Sequence, residues 1–174
     1  MVIAALELPA TLTTREQTLV LRRAGLGDLD ALMALLADDP ISAARGDQAQ
    51  DSDLPAYERA LADLIGDPSN EILLVEDAAG AVIATMQLTR IPGMARRGST
   101  RLLVEAVRVS SALRSGGVGS AMMRWVTDVA APATGSSIVQ LTSDEARIDA
   151  HRFYERLGFV GSHRGFKYAV TAAN

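Results

Sequence analysis

The stretch that decides the fold is Arg114-Ser115-Gly116-Gly117-Val118-Gly119-Ser120. It follows an apolar segment, 102–109, that predicts a strand. It precedes apolar residues at helical spacing: Val118, Ala121, Met122, Trp125, Val126 and Val129. A turn of small residues at a helix start leaves backbone N–H groups uncovered, and with the helix dipole these suit a phosphate or pyrophosphate. Arg114 adds a positive charge that binds phosphate oxygens in a bidentate manner, so the sequence predicts an anion site.

The composition is that of an ordinary globular protein. Hydrophobic residues make up 48% of the 174 residues and charged residues 22%, which predicts a substantial core. We expect a single domain over residues 1–174, in which residues 1–17 form a loose lead-in. Residues 1–14 lack the charged region of a signal peptide, and Glu7 and Pro9 interrupt their apolar run. Neither a signal peptide nor a membrane span is predicted, so the cytoplasm is the expected location.

Side chains that bind metals or attack as thiols are scarce. The chain has no cysteine, and its two histidines are His151 and His163. The lack of cysteine excludes a disulfide framework, a thiolate zinc site and a cysteine nucleophile. Because two histidines are too few for a metal cluster, no metal site is predicted.

Charge is unevenly distributed along the chain. The net charge is −4 overall, −10 over residues 1–80 and +6 over residues 81–174. The basic half contains the glycine-rich loop, which fits an anionic ligand, although scatter over a solvated surface explains the distribution equally well. No nucleic-acid partner is predicted, because such proteins are more often basic overall and rich in aromatic residues, which are only 4% here.

The remaining patterns predict a mixed α/β sheet covered by helices. Helices are expected to begin near Asp28, Pro55, Val118 and Asp149, and Pro40 is expected to end the first of them. The predicted strands are 19–22, 71–76, 81–88, 102–109, 137–142, 159–160 and 166–170. The last two form a hairpin, so the predicted order is β-α-α-β-β-β-α-β-α-β-β.

Two common phosphate-binding patterns do not fit the loop. A Walker loop requires a lysine, and the only lysine of the chain is Lys167. A dinucleotide fingerprint requires Gly-x-Gly-x-x-Gly near the start of a βαβ unit. Here the glycines are at 116, 117 and 119, in the second half of the chain.

The pattern that fits is Arg-x-x-Gly-x-Gly preceded by Val107-Arg108-Val109, and it resembles the GNAT superfamily of N-acetyltransferases, which use acetyl-coenzyme A. Residues 150–159, Ala-His-Arg-Phe-Tyr-Glu-Arg-Leu-Gly-Phe, are similar to that family's closing helix and strand. The resemblance is carried by residues 101–160 and implies a GNAT-type α/β (α+β) fold, in which helices flank a mixed, mostly antiparallel sheet.

The resemblance also implies a coenzyme A site. The pyrophosphate would be held by Arg114 and the amides of Ser115, Gly116, Gly117, Val118, Gly119 and Ser120. The pantetheine arm would pair with the backbone at Val107, Arg108 and Val109, and a splay between this strand and strand 137–142 would make room for the thioester. The alternative is an ordinary helix N-terminus whose glycines serve tight packing.

Two residues are implied to carry the chemistry. Tyr154 matches the family's usual general acid, which protonates the leaving thiolate; the alternative is a core tyrosine beside Phe153 and Leu157. Glu105 matches a general base, since an amine with a pKa of about 10.4 is mostly protonated at pH 7. Alternation puts Glu105 on the face of Val107 and Val109; the alternative is an ion pair with an arginine such as Arg101.

Other charged residues refine these expectations. Arg147 stands where relatives often have an asparagine that contacts the pantetheine, so that contact is in doubt, and His151 is expected on a helix surface. Arginines of 90–101 could form a basic lip of the acceptor site, and Asp47, Asp51 and Asp53 an acidic one. Together they would favour a zwitterionic acceptor; charged flexible loops are the alternative.

The sequence therefore predicts transfer of acetyl from acetyl-coenzyme A to a primary amine of a small molecule or peptide, by direct attack in a ternary complex. It leaves open a non-catalytic coenzyme A-binding sensor or regulatory module and a protein N-terminal acetyltransferase. Relatives are often homodimers, but no interface can be read here. The acceptor, other acyl donors and the oligomeric state stay open, and no membrane partner is expected.

Overall fold

The computed structural model describes residues 3–170, which form a first unit ending at Leu141 and a second beginning at Thr142. The first unit contains a six-stranded sheet whose spatial order follows the chain. All neighbouring strands are antiparallel except the last pair, which is parallel. The strands are β1 (Ala10–Thr13), β2 (Thr18–Arg23), β3 (Asn70–Glu76), β4 (Val82–Ile91), β5 (Arg101–Val109) and β6 (Ile138–Leu141).

Six short helices belong to the first unit and one to the second. Those of the first are α1 (Leu29–Ala37), α2 (Pro40–Ala43), α3 (Leu54–Gly66), α4 (Ala95–Gly98), α5 (Val118–Trp125) and α6 (Ala131–Ala133). A π-helical turn, Val126–Ala130, joins α5 to α6, and 3₁₀ turns occupy Ile3–Ala5, Leu26–Asp28, Asp51–Asp53 and Ser111–Leu113. The second unit contains α7 (Ile148–Arg156). Within residues 3–170, no helix is long and apolar enough to cross a membrane.

The sheet is buried on both faces, which gives the first unit its core. On one face, α1 and α3 pack against β3 through a cluster of Leu32, Leu61 and Leu74. On the other face, side chains that alternate with Leu74 and its neighbours are fully buried: Leu19, Leu21, Leu73 and Val75. Since α5 packs against β1 and β5, the strand–loop–helix junction of the glycine-rich stretch rests on this core.

The predicted fold class is confirmed, and the predicted helices and the strands up to 137–142 occur close to their expected bounds. One helix boundary differs. Pro40 does not simply end α1 but begins α2, where a proline at the first position costs no hydrogen bond. The Asp39 carboxylate caps α2 by accepting a bond from the Ser42 N–H, at 2.9 Å.

The prediction of a loose lead-in is wrong for residues 3–17. Residues Ala10–Thr13 form β1, which pairs with β2 and extends the sheet. Ile3, Leu6 and Leu12 are each at most 3% exposed. Burial of these apolar side chains orders the segment despite the interruptions by Glu7 and Pro9.

The apolar stripe predicted for the helix after the loop is wrong at one position. Val118, Met122 and Val126 are buried as expected, whereas Val129 is 49% exposed. The π-helical turn adds a residue to the helical repeat and shifts the phase. Ala130 takes the inward position instead and is fully buried.

The predicted closing hairpin, 159–160 with 166–170, is not formed within the described residues, which end at 170. Its apolar side chains are exposed: Val160, Phe166, Tyr168 and Val170. A first strand of two residues supplies too few ladder bonds, and an isolated two-stranded hairpin is only marginally stable in water. The second unit contains no further described strand that could support it.

Candidate active site

The glycine-rich loop joins β5 to α5 and alternates its backbone conformation. Ser115 has φ +71° and Gly117 has φ +85°, while Gly116 between them lies outside the left-handed region. An added Cβ at Gly116 would lie 3.2 Å from the Leu113 carbonyl oxygen, tighter than most side chains tolerate. Alternating conformations of this kind turn successive N–H groups toward one side and form a concave anion site.

The loop ends in an uncapped helix start. Gly117 is the N-cap of α5, and no side chain caps this end. The N–H groups of Val118, Gly119 and Ser120 have no acceptor within the helix, because they belong to its first turn. They carry the positive end of the helix dipole, which favours a bound anion.

Arg114 lies at the rim of a depression of about 260 Å³ that the loop lines together with Glu16 and Gln17. The Arg114 side chain is exposed, and its Nη2 donates a bond to the Asp38 carbonyl oxygen at 3.2 Å. This contact leaves the guanidinium at the protein surface, where a phosphate can reach it.

The loop is anchored at its root by two contacts. The Ser110 N–H donates to the Ile83 carbonyl on β4 at 2.9 Å. The Asp38 carboxylate, at the end of α1, accepts bonds from the Ser111 N–H at 2.6 Å and the Ser111 hydroxyl at 2.8 Å. These bonds, and the nearby Arg114 charge, lower the pKa of Asp38 below its usual value. Reasoning from the sequence missed Asp38, since no local pattern links it to a residue 73 positions away.

Strand β5 has an open edge where it approaches the loop. β6 pairs only with Arg101–Val104, so the β6 side of residues 105–109 carries no strand among the described residues. Open strand edges present unpaired N–H and C=O groups to a ligand. The splay expected between these two strands therefore lies directly before the glycine-rich loop.

A β-bulge changes the face on which Glu105 lies. In the β4–β5 ladder, Gln87 opposes Glu105 and Thr85 opposes Arg108, so Met86 alone stands opposite Ala106 and Val107. Ala106 has φ +49°, in the left-handed region. The extra residue reverses the alternation, and the prediction that Glu105 shares a face with Val107 and Val109 is wrong. Glu105 instead shares its face with Arg108 and is exposed.

A model of the acetyltransferase (GNAT) family matches residues 29–159. The chain belongs to the GNAT acetyltransferase family. The matched range contains β5, the glycine-rich loop and all of α7, so both sequence motifs of this GNAT chain lie inside it.

Solved structures agree with this assignment. A transcriptional regulator from Bacillus halodurans C-125 is 34% identical, with a TM-score of 0.81 over 87% of this chain and 99% of that one. A protein from Agrobacterium tumefaciens str. C58 named as an acetyltransferase is 25% identical, with a TM-score of 0.68 over 86% and 99%. An acetyltransferase of Trypanosoma brucei shares the fold, at 22% identity and a TM-score of 0.69 over 87% and 99%. No curated protein matches the chain.

The first unit of this GNAT chain brings Arg108 against the segment after α1. Its Nη2 donates to the Ser42 hydroxyl at 2.5 Å, and its Nη1 donates to the Val107 carbonyl at 2.9 Å. The ion pair considered between Glu105 and Arg101 is not formed in residues 3–170, where the Arg101 guanidinium donates to the Gln140 side chain at 3.2 Å. Glu105 thus lies on the sheet face that carries α1, α2 and α3.

The two charged lips lie at opposite ends of β5, so the paired acidic and basic lips predicted for one acceptor site are wrong. The Asp47 N–H bonds to the Ser42 carbonyl, and Ser42 contacts Arg108 near the C-terminal end of β5. The loop 92–100 precedes β5, and a nine-residue strand spans about 27 Å. Antiparallel pairing of β4 with β5 enforces this separation, and Arg90 is engaged elsewhere, with the Thr134 carbonyl.

The second unit positions Tyr154 on α7. Its ring makes edge-on contacts with Phe153, at 5.0 Å between centroids, and with Phe159, at 5.8 Å. Tyr154, Phe153 and Leu157 are all half-buried. The His151 Nε2 lies 2.8 Å from the Asp144 carbonyl oxygen, and Arg147 is the N-cap of α7. These contacts hold the aromatic side of α7 in a defined orientation within its own unit.

Proposed function

We propose that this GNAT acetyltransferase transfers acetyl from acetyl-coenzyme A to a primary amine of a small molecule or peptide. The observation that carries the proposal is the continuity of the open β5 edge, residues 105–109, with the loop that starts at Arg114. An extended pantetheine arm needs backbone partners, and a pyrophosphate needs clustered N–H groups and a cation. The first unit offers both in sequence along one strand and its following loop.

The loop residues fit the donor. The first-turn N–H groups of Val118, Gly119 and Ser120 would bind the pyrophosphate, whereas the Gly116 N–H already donates to the Leu113 carbonyl at 3.2 Å. The positive φ of Gly117 makes the turn into this helix start. Arg114 would supply the charge-assisted bond, and the backbone of Val107, Arg108 and Val109 would hold the arm. When bound, acetyl-coenzyme A supplies an acetyl thioester activated for attack by an amine.

Two side chains would move the protons. Glu105, directly or through water, would accept the proton that the attacking amine must lose. Tyr154 would donate a proton to the departing sulfur, since a thiolate with a pKa of about 8.5 leaves more easily when it is protonated. Backbone N–H groups of β5 would stabilise the charge on the carbonyl oxygen. The chain has no cysteine, so direct attack in a ternary complex replaces any acetyl-cysteine intermediate.

The experiment is a turnover screen that measures release of coenzyme A thiol from acetyl-coenzyme A. The panel comprises amino acids, polyamines, aminoglycosides and peptides with free N-termini, and the last group reports protein N-terminal acetylation. Release that depends on one class of amine is the expected result. If no amine raises release above hydrolysis although coenzyme A binds, the proposed transfer is wrong.

Tyr154→Phe tests the assigned acid. The variant keeps the ring contacts with Phe153 and Phe159 and loses the proton donor, so kcat should fall by about 10² or more while coenzyme A binding stays unchanged. Tyr168→Phe is the matched control, because Tyr168 is 90% exposed and makes the same chemical change. Unchanged turnover in Tyr154→Phe would exclude Tyr154 as the acid.

A regulatory role is the second candidate. It is favoured by the name of the 34% identical relative, a transcriptional regulator. In that case coenzyme A binding would be the output, the loop would be required and Tyr154 would be dispensable. The turnover screen and Tyr154→Phe together separate the two functions, because a regulator would bind coenzyme A without amine-dependent release of its thiol and would not need the Tyr154 hydroxyl. The single-domain organisation, the homodimer and the cytoplasmic location stay predictions.

A further inference from the structure

We propose that Asp38 is a positioning residue of the donor loop, acting through Ser111 and Arg114. The inference rests on the proposed function of the loop as the coenzyme A site. Asp38 ends α1, and both of its carboxylate oxygens are used by Ser111, the first residue of the 3₁₀ turn that leads into the loop. Its carbonyl oxygen accepts the bond from Arg114 Nη2. One residue thus contacts the loop at its root and at its cationic side chain.

The negative charge of Asp38 would be expected to weaken anion binding at the neighbouring loop. A carboxylate beside an anion site repels the anion, so electrostatics alone would make Asp38 unfavourable for binding pyrophosphate. The hydrogen bonds from Ser111 to the Asp38 carboxylate compensate for this repulsion by ordering the loop. Hydrogen bonds to a charged acceptor are stronger than neutral ones, and they order the 3₁₀ turn before the ligand arrives. A loop that is already ordered loses less conformational entropy on binding, which raises its affinity.

The other hydrogen bonds of the loop show why the bonds between Ser111 and Asp38 are needed to fix its position. Beyond Ser111, the loop residues Ala112 to Ser115 line the depression and have exposed or half-exposed side chains. Within the loop, Leu113 bonds back to Ser110 and Gly116 bonds back to Leu113. These bonds are local, whereas the bonds to Asp38 connect the loop to α1 and thereby to the core cluster around Leu32.

Positioning of the loop by Asp38 and repulsion of the anion by its charge predict opposite changes in the Kd for coenzyme A when Asp38 is replaced by asparagine. Asp38→Asn removes the charge and one of the two acceptor oxygens. If positioning dominates, the Kd for coenzyme A rises by about ten-fold, and Asp38→Ala raises it further. If electrostatic repulsion dominates, Asp38→Asn binds coenzyme A more tightly than the wild type. Ser111→Ala removes only the hydroxyl arm and should raise the Kd less than Asp38→Ala does.

The control is Asp30→Asn, which makes the same chemical change on the same helix, at an exposed residue in its first turn. Its Kd for coenzyme A should equal that of the wild type. Thermal unfolding of each variant identifies any that is merely destabilised. If Asp38→Ala does not fold, Asp38→Asn still decides whether the Kd for coenzyme A rises or falls.

The experiment is calorimetric titration with coenzyme A, followed by turnover with two donors. Acetyl-coenzyme A contains the pyrophosphate, whereas S-acetylpantetheine does not. For Asp38→Asn, kcat/KM should fall about ten-fold with acetyl-coenzyme A and stay unchanged with S-acetylpantetheine. Equal losses with both donors, or an unchanged or lower Kd, would overturn the proposal. Failure of the wild type to bind coenzyme A would instead reject the donor site itself, and binding without turnover would reject only the transfer.

Discussion

Gly117→Ala, compared with a matched glycine variant elsewhere, tests whether coenzyme A binding depends on the backbone conformation of the donor loop or only on the stability of the fold. Gly117 has φ +85°, and a residue with a Cβ in this region costs about 1–2 kcal/mol. The new Cβ would lie 3.7 Å from the Thr14 Cβ, an ordinary contact, so no steric term is added. A loss of about 1–2 kcal/mol in a chain of this size lowers the Tm by about 2–8 °C.

The matched variant is Gly80→Ala. Gly80 has φ +81° in the turn between β3 and β4, and an added Cβ there meets nothing within 4 Å. Both variants should lose similar stability in thermal unfolding. Only Gly117→Ala should weaken coenzyme A binding, by about 5- to 30-fold, because the relaxed loop must regain the strained conformation to bind. Equal coenzyme A affinities in the two variants would show that binding does not depend on the left-handed conformation of Gly117.

Three further predictions concern the fold around the site. Leu74→Ala, in the cluster between α1, α3 and β3, should cost about 2–5 kcal/mol in denaturant unfolding, because Leu74 is fully buried; a smaller loss would contradict the packing. Asp47→Asn should lower the pKa of Tyr57, which the hydrogen bond to Asp47 raises to about 12, and tyrosinate absorbance during alkaline titration measures it. The raised pKa means that this bond stabilises the fold below pH 10 and is lost as the pH rises through 12, so an unshifted titration would exclude it. Val129→Lys should change stability by less than about 0.5 kcal/mol, whereas Val126→Lys should unfold the protein; a strong effect of the former would argue against the π-helical turn.

The parts of the fold that the sequence predicts are those with strong local periodicity. The apolar spacing of α1, α3 and α5 and of strands β2 to β5 predicts these elements because apolar residues recur in them at the period of a helix or a strand. The stripe of α3 is wrong at Ile65, which is 47% exposed. The lead-in was harder to interpret, since Glu7 and Pro9 interrupt its apolar pattern while Leu12 is still drawn into the core. Val129 could not be placed, because the π-helical turn has no sequence signal of its own.

In the candidate site too, features formed by consecutive residues could be predicted from the sequence, whereas features that depend on long-range pairing could not. The loop Arg114 to Ser120 has its cation, glycines and helix start in consecutive residues, so the sequence alone is enough to predict it as a donor site. The face of Glu105 depends on the bulge at Ala106, which breaks the alternation that a sequence argument assumes. The contact of Asp38 with Ser111 and the separation of the charged lips depend on strand pairing, which joins residues far apart in the chain.

Whether the loop from Arg114 to Ser120 binds coenzyme A is decided by calorimetric titration of coenzyme A into the wild type, Arg114→Ala and Arg124→Ala. Arg124 is an exposed arginine in the last turn of α5, so its loss changes the net charge equally but leaves the loop intact. The wild type and Arg124→Ala should bind alike, and Arg114→Ala should bind coenzyme A about ten-fold more weakly or worse. Equal binding by all three, or no binding by the wild type, would contradict the assignment of the loop as the donor site.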